Sequence, residues 1–247
     1  MEETITREVP QYIYKYMSLD SFIEMITQHT LYFATPITYN DPFDTKADIC
    51  CEASFEDIRT FWNNKYNNNE IEQIINKPNL VKKLANEAFI DNLSGFRVCC
   101  FSQICDNILM WSHYADMHKG VCVKFDRKKD GLFDSATTIY YKDNVPEYNF
   151  ICGKNEDLHR AIYTKSIDWE YEKEIRIIKN TKQGIANKVS FKKKALSEVI
   201  LGCRFPDHKK LAIQAIIKKY GYHAILSQMD TSNKEYKLIK KPLNIKK

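Results

Sequence analysis

Apolar residues recur along this chain with two periods, and together they predict alternating strands and helices. Residues 12–17 (YIYKYM) alternate as in a strand, whereas the apolar residues from Leu19 to Ile26 return at helical spacing. Ser18 supplies the side-chain oxygen that commonly begins a helix. Residues 31–34 follow as a second strand, so the chain opens with a strand, a helix and a strand.

The densest run of reactive side chains lies between two strand-like segments, residues 97–101 and 120–125. Asp106 or Asn107 is placed to cap a helix between them, and Gly120 is placed to end it. The helix and the residues after it carry side chains that can bind or react, namely Trp111, Ser112, His113, Tyr114 and His118.

The remaining pattern predicts an α+β fold, a single domain over residues 1–247, with a mostly antiparallel central sheet and flanking helices. Two apolar stripes predict a helical insertion at about residues 54–94, lying outside the sheet as a lid or subdomain. The later elements are predicted as strands at 137–142, 189–192, 199–201, 224–228 and 236–240, and helices at 156–164 and 206–220.

Composition indicates a globular protein with a real core, since 44% of the 247 residues are hydrophobic and 13% are aromatic. No apolar run approaches the roughly 20 residues of a membrane helix, and residues 1–11 lack the pattern of a secretory leader. We therefore expect a cytoplasmic protein without a membrane partner. The eight cysteines include no C-x-x-C pair and are expected to be reduced thiols.

Charge is distributed unevenly along the chain. Residues 179–247 hold 17 lysines and arginines against 4 acidic residues, whereas residues 1–178 hold 20 against 28. Such a basic segment is either a surface for a polyanion such as nucleic acid or a set of solvated lysines. The first interpretation predicts a non-enzymatic nucleic-acid-binding or sensor module, an alternative that the sequence leaves open.

Two further stretches carry polar groups suited to a site. The turn from Asn40 to Asp44 holds carboxylates that either bind a ligand or bond their own backbone. If a strand begins near Glu172, then Glu172, Glu174 and Arg176 share one of its faces. That face is either solvated or part of a charged cleft.

Other chemistries fit the sequence less well. A metal-dependent hydrolase has suitable ligand types, but the spacing of His113 and His118 does not place them on one helix face. We therefore expect no metal. A cysteine nucleophile at Cys105 or Cys122 has no identifiable base partner in the sequence.

Several motifs together resemble a widespread family of uncharacterised bacterial proteins. They are NDPFD at 40–44, CFS at 100–102, MWSHYA at 110–115, GVC at 120–122 and WEYEKE at 169–174. The family pattern continues with Trp where this chain has Ile175, which removes an aromatic contact while Glu174 and Arg176 stay in register. The resemblance itself names no reaction.

At the level of element order, the chain is also similar to ADP-ribosyltransferases of the DNA-modifying toxin type. That resemblance implies a split antiparallel sheet with NAD in its cleft, in a bacterial toxin or phage-defence setting, and a nucleic-acid or protein acceptor. It implies that Glu174 acts at the ribose with Tyr114 and His113 as further catalytic residues. The residues implied to bind the cofactor are Tyr16, Ser18, Asn40, Asp44, Ser102, Ser112 and Arg176, and Trp111 or Tyr114 is implied to stack on nicotinamide.

Overall fold

The structure, a computed structural model, describes residues 8–62, 67–181 and 186–243. The predicted domain spans residues 1–247, and both of its ends lie outside the described part of the chain, at residues 1–7 and 244–247. The strands are β1 Tyr12–Met17, β2 Thr30–Tyr32, β3 Asp48–Cys50, β4 Phe96–Ser102, β5 Val121–Asp126, β6 Thr137–Thr138, β7 Tyr140–Lys142, β8 Glu147–Asn149, β9 Thr164–Ser166, β10 Glu174–Asn180, β11 Lys188–Ser190, β12 Leu196–Leu201, β13 Ile225–Thr231 and β14 Leu238–Pro242. The α-helices are α1 Leu19–Gln28, α2 Phe55–Phe61, α3 Asn68–Ile75, α4 Pro78–Ser94, α5 Ile108–Tyr114, α6 Asn155–Ile162 and α7 Asp207–Lys219.

Within the described ranges, the central sheet has eight strands in the order β14–β13–β12–β5–β1–β4–β10–β6. Neighbouring strands are antiparallel except β12 and β13, which are parallel. This arrangement confirms the predicted α+β fold with a mostly antiparallel sheet. Among the helices of the described ranges, none combines the length and the apolar character needed to cross a bilayer.

The sheet opens between the neighbouring strands β1 and β4. They pair where Tyr14 lies opposite Ser102, whereas β1 pairs with β5 along its whole length. Past that point Lys15 reaches into the gap and donates from Nζ to the carbonyl oxygen of Cys100 at 2.9 Å. The sheet is therefore split at the position where a cleft can form, and backbone groups along the split are available to side chains.

Side chains of alternate strand positions enter different layers of the core. On β4, Cys99 and Phe101 pack in the cluster that includes Phe22 of α1 and Ile213 of α7. The neighbouring position, Val98, packs in a second cluster with α4 and α6. Helices therefore cover both faces of the sheet, and α4 lies against it.

Local sequence explains where the helices begin. Ser18 caps α1 by accepting a hydrogen bond from the backbone N–H of Ser21 at 3.2 Å. The side chain of Asn107 caps α5 by accepting from the backbone N–H groups of Leu109 and Met110. Both caps lie at predicted positions and fix the two helices that flank β1.

Three differences between the sequence predictions and the structure affect the elements around α5 and β10. The helix after Asn107 ends at Tyr114, because three residues with positive φ, from Asp116 to His118, have already turned the chain before Gly120. Gly120 instead allows close packing, since a Cβ atom there would lie 2.4 Å from the carbonyl oxygen of Met17. Residues 137–142 form two short strands, because β6 pairs with β10 whereas β7 pairs with β9.

The third difference concerns the strand that carries the acidic motif. β10 begins at Glu174, two residues later than predicted, because residues 167–172 form a 3-10 turn that ends at Lys173 with a φ of 45°. Glu172 therefore lies before the strand rather than on it.

Candidate functional site

Five buried ionisable side chains meet at the start of β10, and we name them the charged cluster: Asp44, Lys165, Glu172, Glu174 and Arg176. Their side chains are at most 6% exposed. Because the cluster brings together segments from residue 44 to residue 176, it exists only in the folded chain.

Arg176 organises one side of the charged cluster. Its Nε donates to Oε1 of Glu174 at 2.7 Å, and its second terminal nitrogen donates to Oε2 of Glu174 at 3.1 Å. The same nitrogen donates to Oδ2 of Asp44 at 2.7 Å, and the other terminal nitrogen donates to the carbonyl oxygen of Ile162 at 2.6 Å. These contacts use the planar fork of the guanidinium to hold two carboxylates in fixed positions.

Lys165 lies between all three carboxylates. Its Nζ is 2.7 Å from Oε2 of Glu172, 3.2 Å from Oε2 of Glu174 and 3.6 Å from Oδ2 of Asp44. Burial alone would lower the pKa of Lys165, but the three carboxylates outweigh burial and raise it. Lys165 therefore remains an ammonium, and its positive charge offsets the repulsion among the three carboxylates.

Glu172 is held by groups from three parts of the chain. Tyr114 donates from its hydroxyl to Oε1 of Glu172 at 2.7 Å, and Lys165 donates to Oε2. Ser102 donates from Oγ to the backbone carbonyl of Glu172 at 2.6 Å and so fixes the turn that carries it. The predicted residues Ser102 and Tyr114 therefore both contact Glu172.

The two glutamates differ in their electrostatic environment. Burial raises the pKa of Glu172, and the neighbouring charge of Glu174 adds to this effect while Lys165 opposes it. Burial acts in the same direction on Glu174, but Arg176 and Lys165 outweigh it and hold the pKa of Glu174 below its ordinary value. Paired carboxylates with opposite pKa shifts are a frequent feature of acid–base sites.

Asp44 has an unused acceptor in this environment. Oδ2 contacts Arg176 and Lys165, whereas Oδ1 is buried and has no hydrogen-bond partner among the described residues. The nearby Asp41 instead bonds its own turn, since its Oδ1 accepts a hydrogen bond from the backbone N–H of Phe43 at 2.9 Å. An unpartnered buried carboxylate oxygen is costly and marks a place where a donor can bind.

A cavity of about 190 Å³ opens above the charged cluster at the split between β1 and β4. Besides Asp44, Lys165, Glu172 and Glu174, its lining residues include Tyr14, Tyr16, Tyr39, Asn40, Ser102 and Tyr114. An adjoining cavity of about 650 Å³ shares Lys15, Tyr16, Tyr39, Cys100 and Tyr114 with it. Together the two cavities fall within the roughly 300–1,000 Å³ typical of small-molecule sites.

The predicted residues Ser18, Tyr16 and His113 lie along this cleft but not in the charged cluster. Ser18 lines the larger cavity with its hydroxyl engaged in the helix cap. Tyr16 donates its hydroxyl to the carbonyl oxygen of Ile104 at 3.0 Å, and His113 is exposed at the wall of the larger cavity.

Two predicted residues of α5 and one of β10 do not line either cavity. Ser112 donates to the carbonyl oxygen of Ile108 and lies 3.0 Å from Nε2 of His118. Trp111 is fully buried and donates from Nε1 to the carbonyl oxygen of Cys105, so it packs in the core instead of stacking on a ligand. Arg176 is fully buried behind Glu174.

The other chemistries are less well matched by the geometry. In the described residues, no group of three or more His, Cys, Asp or Glu side chains is arranged to hold a metal ion. The three carboxylates of the charged cluster instead surround an ammonium. Burial raises the pKa of Cys105 to about 11 and that of Cys122 well above its ordinary value, so both are thiols rather than nucleophilic thiolates.

Sequence reasoning missed Lys165 and Tyr39. It placed Glu172 on a face that could belong to a charged cleft but assigned it no catalytic or cofactor-binding role. Lys165 lies on the three-residue strand β9, and no pattern in its neighbours indicates burial. Glu172 had a detectable signal, since it shares the WEYEKE motif with Glu174.

Comparison with known proteins gives one match. No curated protein and no solved structure matches the chain. Residues 110–177 match the model of a family described as a protein of unknown function (DUF2971). The matched segment contains every member of the charged cluster except Asp44, together with Tyr114. Over residues 110–177 the chain is thus similar to a family of proteins of unknown function, which confirms the resemblance to an uncharacterised family.

Proposed function

We propose that this protein is an enzyme that cleaves the bond between nicotinamide and ribose in NAD and transfers ADP-ribose to an acceptor. The observation that carries the proposal is the charge balance of the charged cluster. Three carboxylates, those of Asp44, Glu172 and Glu174, face the two cations Lys165 and Arg176. The cluster therefore lacks one positive charge when all its members are ionised.

A buried surplus charge is unfavourable unless a partner or a proton neutralises it. The raised pKa of Glu172 makes this carboxylate the natural place for such a proton in the free protein. A cationic ligand in the smaller cavity, which Glu172 lines, would replace the proton. The nicotinamide ring of NAD carries a positive charge, and this charge moves to the ribose as the bond breaks.

In the proposed reaction, the bond between C1′ of the ribose and the ring nitrogen breaks, and its electron pair stays on the nitrogen. Nicotinamide leaves as a neutral molecule, while the ribose carbon gains oxocarbenium character. Ionised carboxylates beside the ribose stabilise that positive charge. A nucleophilic atom of the acceptor then bonds to C1′ and releases its proton.

The hydrogen bonds favour different roles for the two glutamates. Glu174 already accepts two bonds from Arg176 and one from Lys165, which fill most of its acceptor positions. Glu172 accepts one from Tyr114 and one from Lys165 and retains room for a ribose hydroxyl. In the proposal Glu172 contacts the substrate, and Glu174 keeps a fixed negative charge behind it.

Further residues of the cleft fit parts of the substrate. The free Oδ1 of Asp44 can accept a hydrogen bond from the nicotinamide amide or from a ribose hydroxyl. Tyr14 and Tyr39 offer aromatic walls in the smaller cavity. Lys15 lines both cavities, and its ammonium can bind the pyrophosphate.

The test is the release of nicotinamide from NAD, followed by chromatography, with protein, DNA and RNA as acceptors. Glu172→Gln keeps the shape of the side chain and is expected to slow release by about 100- to 1,000-fold. Glu170→Gln is the matched control, because the side chain of Glu170 is 45% exposed and forms its ion pair with Lys173, outside the charged cluster. The proposal is wrong if the wild-type protein releases no nicotinamide above background with any acceptor, or if Glu172→Gln and Glu170→Gln behave alike.

A further inference from the structure

Two basic turns that are far apart in the sequence lie side by side on the surface. The first is Arg127–Lys129, which follows β5, and the second is Lys192–Lys194, which precedes β12. The turns contact each other, and the backbone N–H of Lys192 donates to Oδ2 of Asp130 at 2.5 Å. We name these six residues the basic surface. It joins a segment from the middle of the chain to the basic C-terminal third.

The charges of the basic surface are largely uncompensated. Lys128, Lys129, Lys192 and Lys194 are exposed, and in the described residues none of them lies within ion-pair distance of a carboxylate. This absence is informative because other exposed lysines of the chain do form ion pairs.

The nearby acids are engaged with the backbone. Asp126 accepts from the backbone N–H of Lys128, and Asp130 accepts from those of Leu132 and Lys192. Both carboxylates are buried. The exposed Asp134 beside Gly131 offsets one further charge, and the six basic residues still outnumber the three nearby carboxylates.

The end of α7 extends the same positive region. Lys193 donates from Nζ to the carbonyl oxygen of Tyr220, the residue that follows the last turn of α7. Lys218 and Lys219 of that turn are exposed. Positive charges from three separate chain segments therefore lie on one face.

We propose that the basic surface binds the phosphate backbone of duplex nucleic acid without sequence preference. Lysine acts as a point charge toward phosphate and lacks the planar fork of arginine, and five of the six residues are lysines. The aromatic residues next to the turns, Phe133 and Phe191, are buried, so they cannot stack on the bases of a single strand. The surface therefore fits closely spaced phosphates of a duplex. This inference does not depend on the cleavage of NAD.

The experiment measures binding of a fluorescently labelled DNA duplex of about 20 base pairs by anisotropy, between about 50 and 200 mM KCl. The test variant replaces Lys128, Lys129 and Lys194 with Gln. The control variant replaces three other exposed lysines, Lys77, Lys82 and Lys234, with Gln and has the same net charge. Thermal melting of both variants checks that they remain folded.

We expect the test variant to bind at least 10-fold more weakly and its slope of log affinity against log salt to fall by about 2 to 3, since each phosphate contact contributes about 0.9. The control variant is expected to retain the wild-type slope. Equal losses in the two variants, or no duplex binding by the wild-type protein at the lowest salt, would overturn the proposal. Binding to phosphatidylserine vesicles without binding to the duplex would also overturn it and assign the surface to a membrane.

Discussion

The hydroxyl of Tyr114 donates a hydrogen bond of 2.7 Å to Oε1 of Glu172, across 58 residues of sequence. This contact links α5 to the turn before β10 and joins the aromatic wall of the cavity to the charged cluster. Burial and the charge of Glu172 raise the pKa of Tyr114, so the hydroxyl stays protonated and acts as a donor. Tyr114 therefore positions Glu172 and stabilises its ionised form.

Replacing Tyr114 with Phe removes this donor with little change in shape. The hydrogen bond lowers the pKa of Glu172, so its loss is expected to raise that pKa and to move the pH profile of nicotinamide release toward higher pH. Bonds to charged groups contribute about 1.5–3 kcal/mol, so some stability is also lost. Tyr140→Phe is the control because Tyr140 is exposed. An unchanged pH profile in Tyr114→Phe would contradict the assigned role.

Replacing Lys165 with Met leaves three carboxylates around an apolar side chain. Breaking a buried ion pair on one side typically costs about 3–5 kcal/mol, and we expect the free energy of unfolding to fall by that amount at neutral pH. The comparison is Lys173→Met, which removes one member of an exposed pair with Glu170 and should cost less than about 1 kcal/mol. Urea unfolding curves measure both. Similar curves for the two variants would show that Lys165 is not central to the charged cluster.

The elements that sequence could predict are those that depend on nearby residues. The capping side chains of Ser18 and Asn107 predict where α1 and α5 begin, and the short apolar segments predict β4 and β5. The charged cluster depends on longer-range pairing. Lys165 reaches the glutamates because β9 pairs with β7, and no local pattern specifies the partner of a three-residue strand.

The prediction that one strand face carries Glu172, Glu174 and Arg176 was limited in the same way, because local sequence did not determine the backbone geometry. Their spacing in the sequence suggested one strand, but Lys173 adopts a left-handed conformation that ends the 3-10 turn before β10 begins. Glu172 still meets Glu174 because both contact Lys165. The residue set was partly predictable, whereas the geometry that brings it together was not.

Glu174 is expected to contribute to stability in a pH-dependent way. Its pKa is lower in the folded protein than the ordinary value of 4.5, so the unfolded chain binds more protons in that range. The contribution is fully present above about pH 4.5 and is lost as the pH falls toward the lowered pKa. Urea midpoints measured at several acidic pH values should show a steeper loss in the wild type than in Glu174→Gln. Glu170→Gln should follow the wild type.

Glu172→Gln is expected to separate stability from activity. The pKa of Glu172 is raised in the folded protein, so its ionisation costs stability. This cost grows as the pH rises from the pKa of the unfolded chain through the pKa of the folded protein.

In the Glu172→Gln variant, two carboxylates face two cations, and the glutamine can still accept a hydrogen bond from Tyr114. At neutral pH and above, the variant should therefore be at least as stable as the wild type, while nicotinamide release falls. Thermal melts and NAD assays at neutral and alkaline pH test both parts. A large loss of stability would instead show that the ionised Glu172 holds the fold together, because the surplus charge would then already be compensated in the free protein.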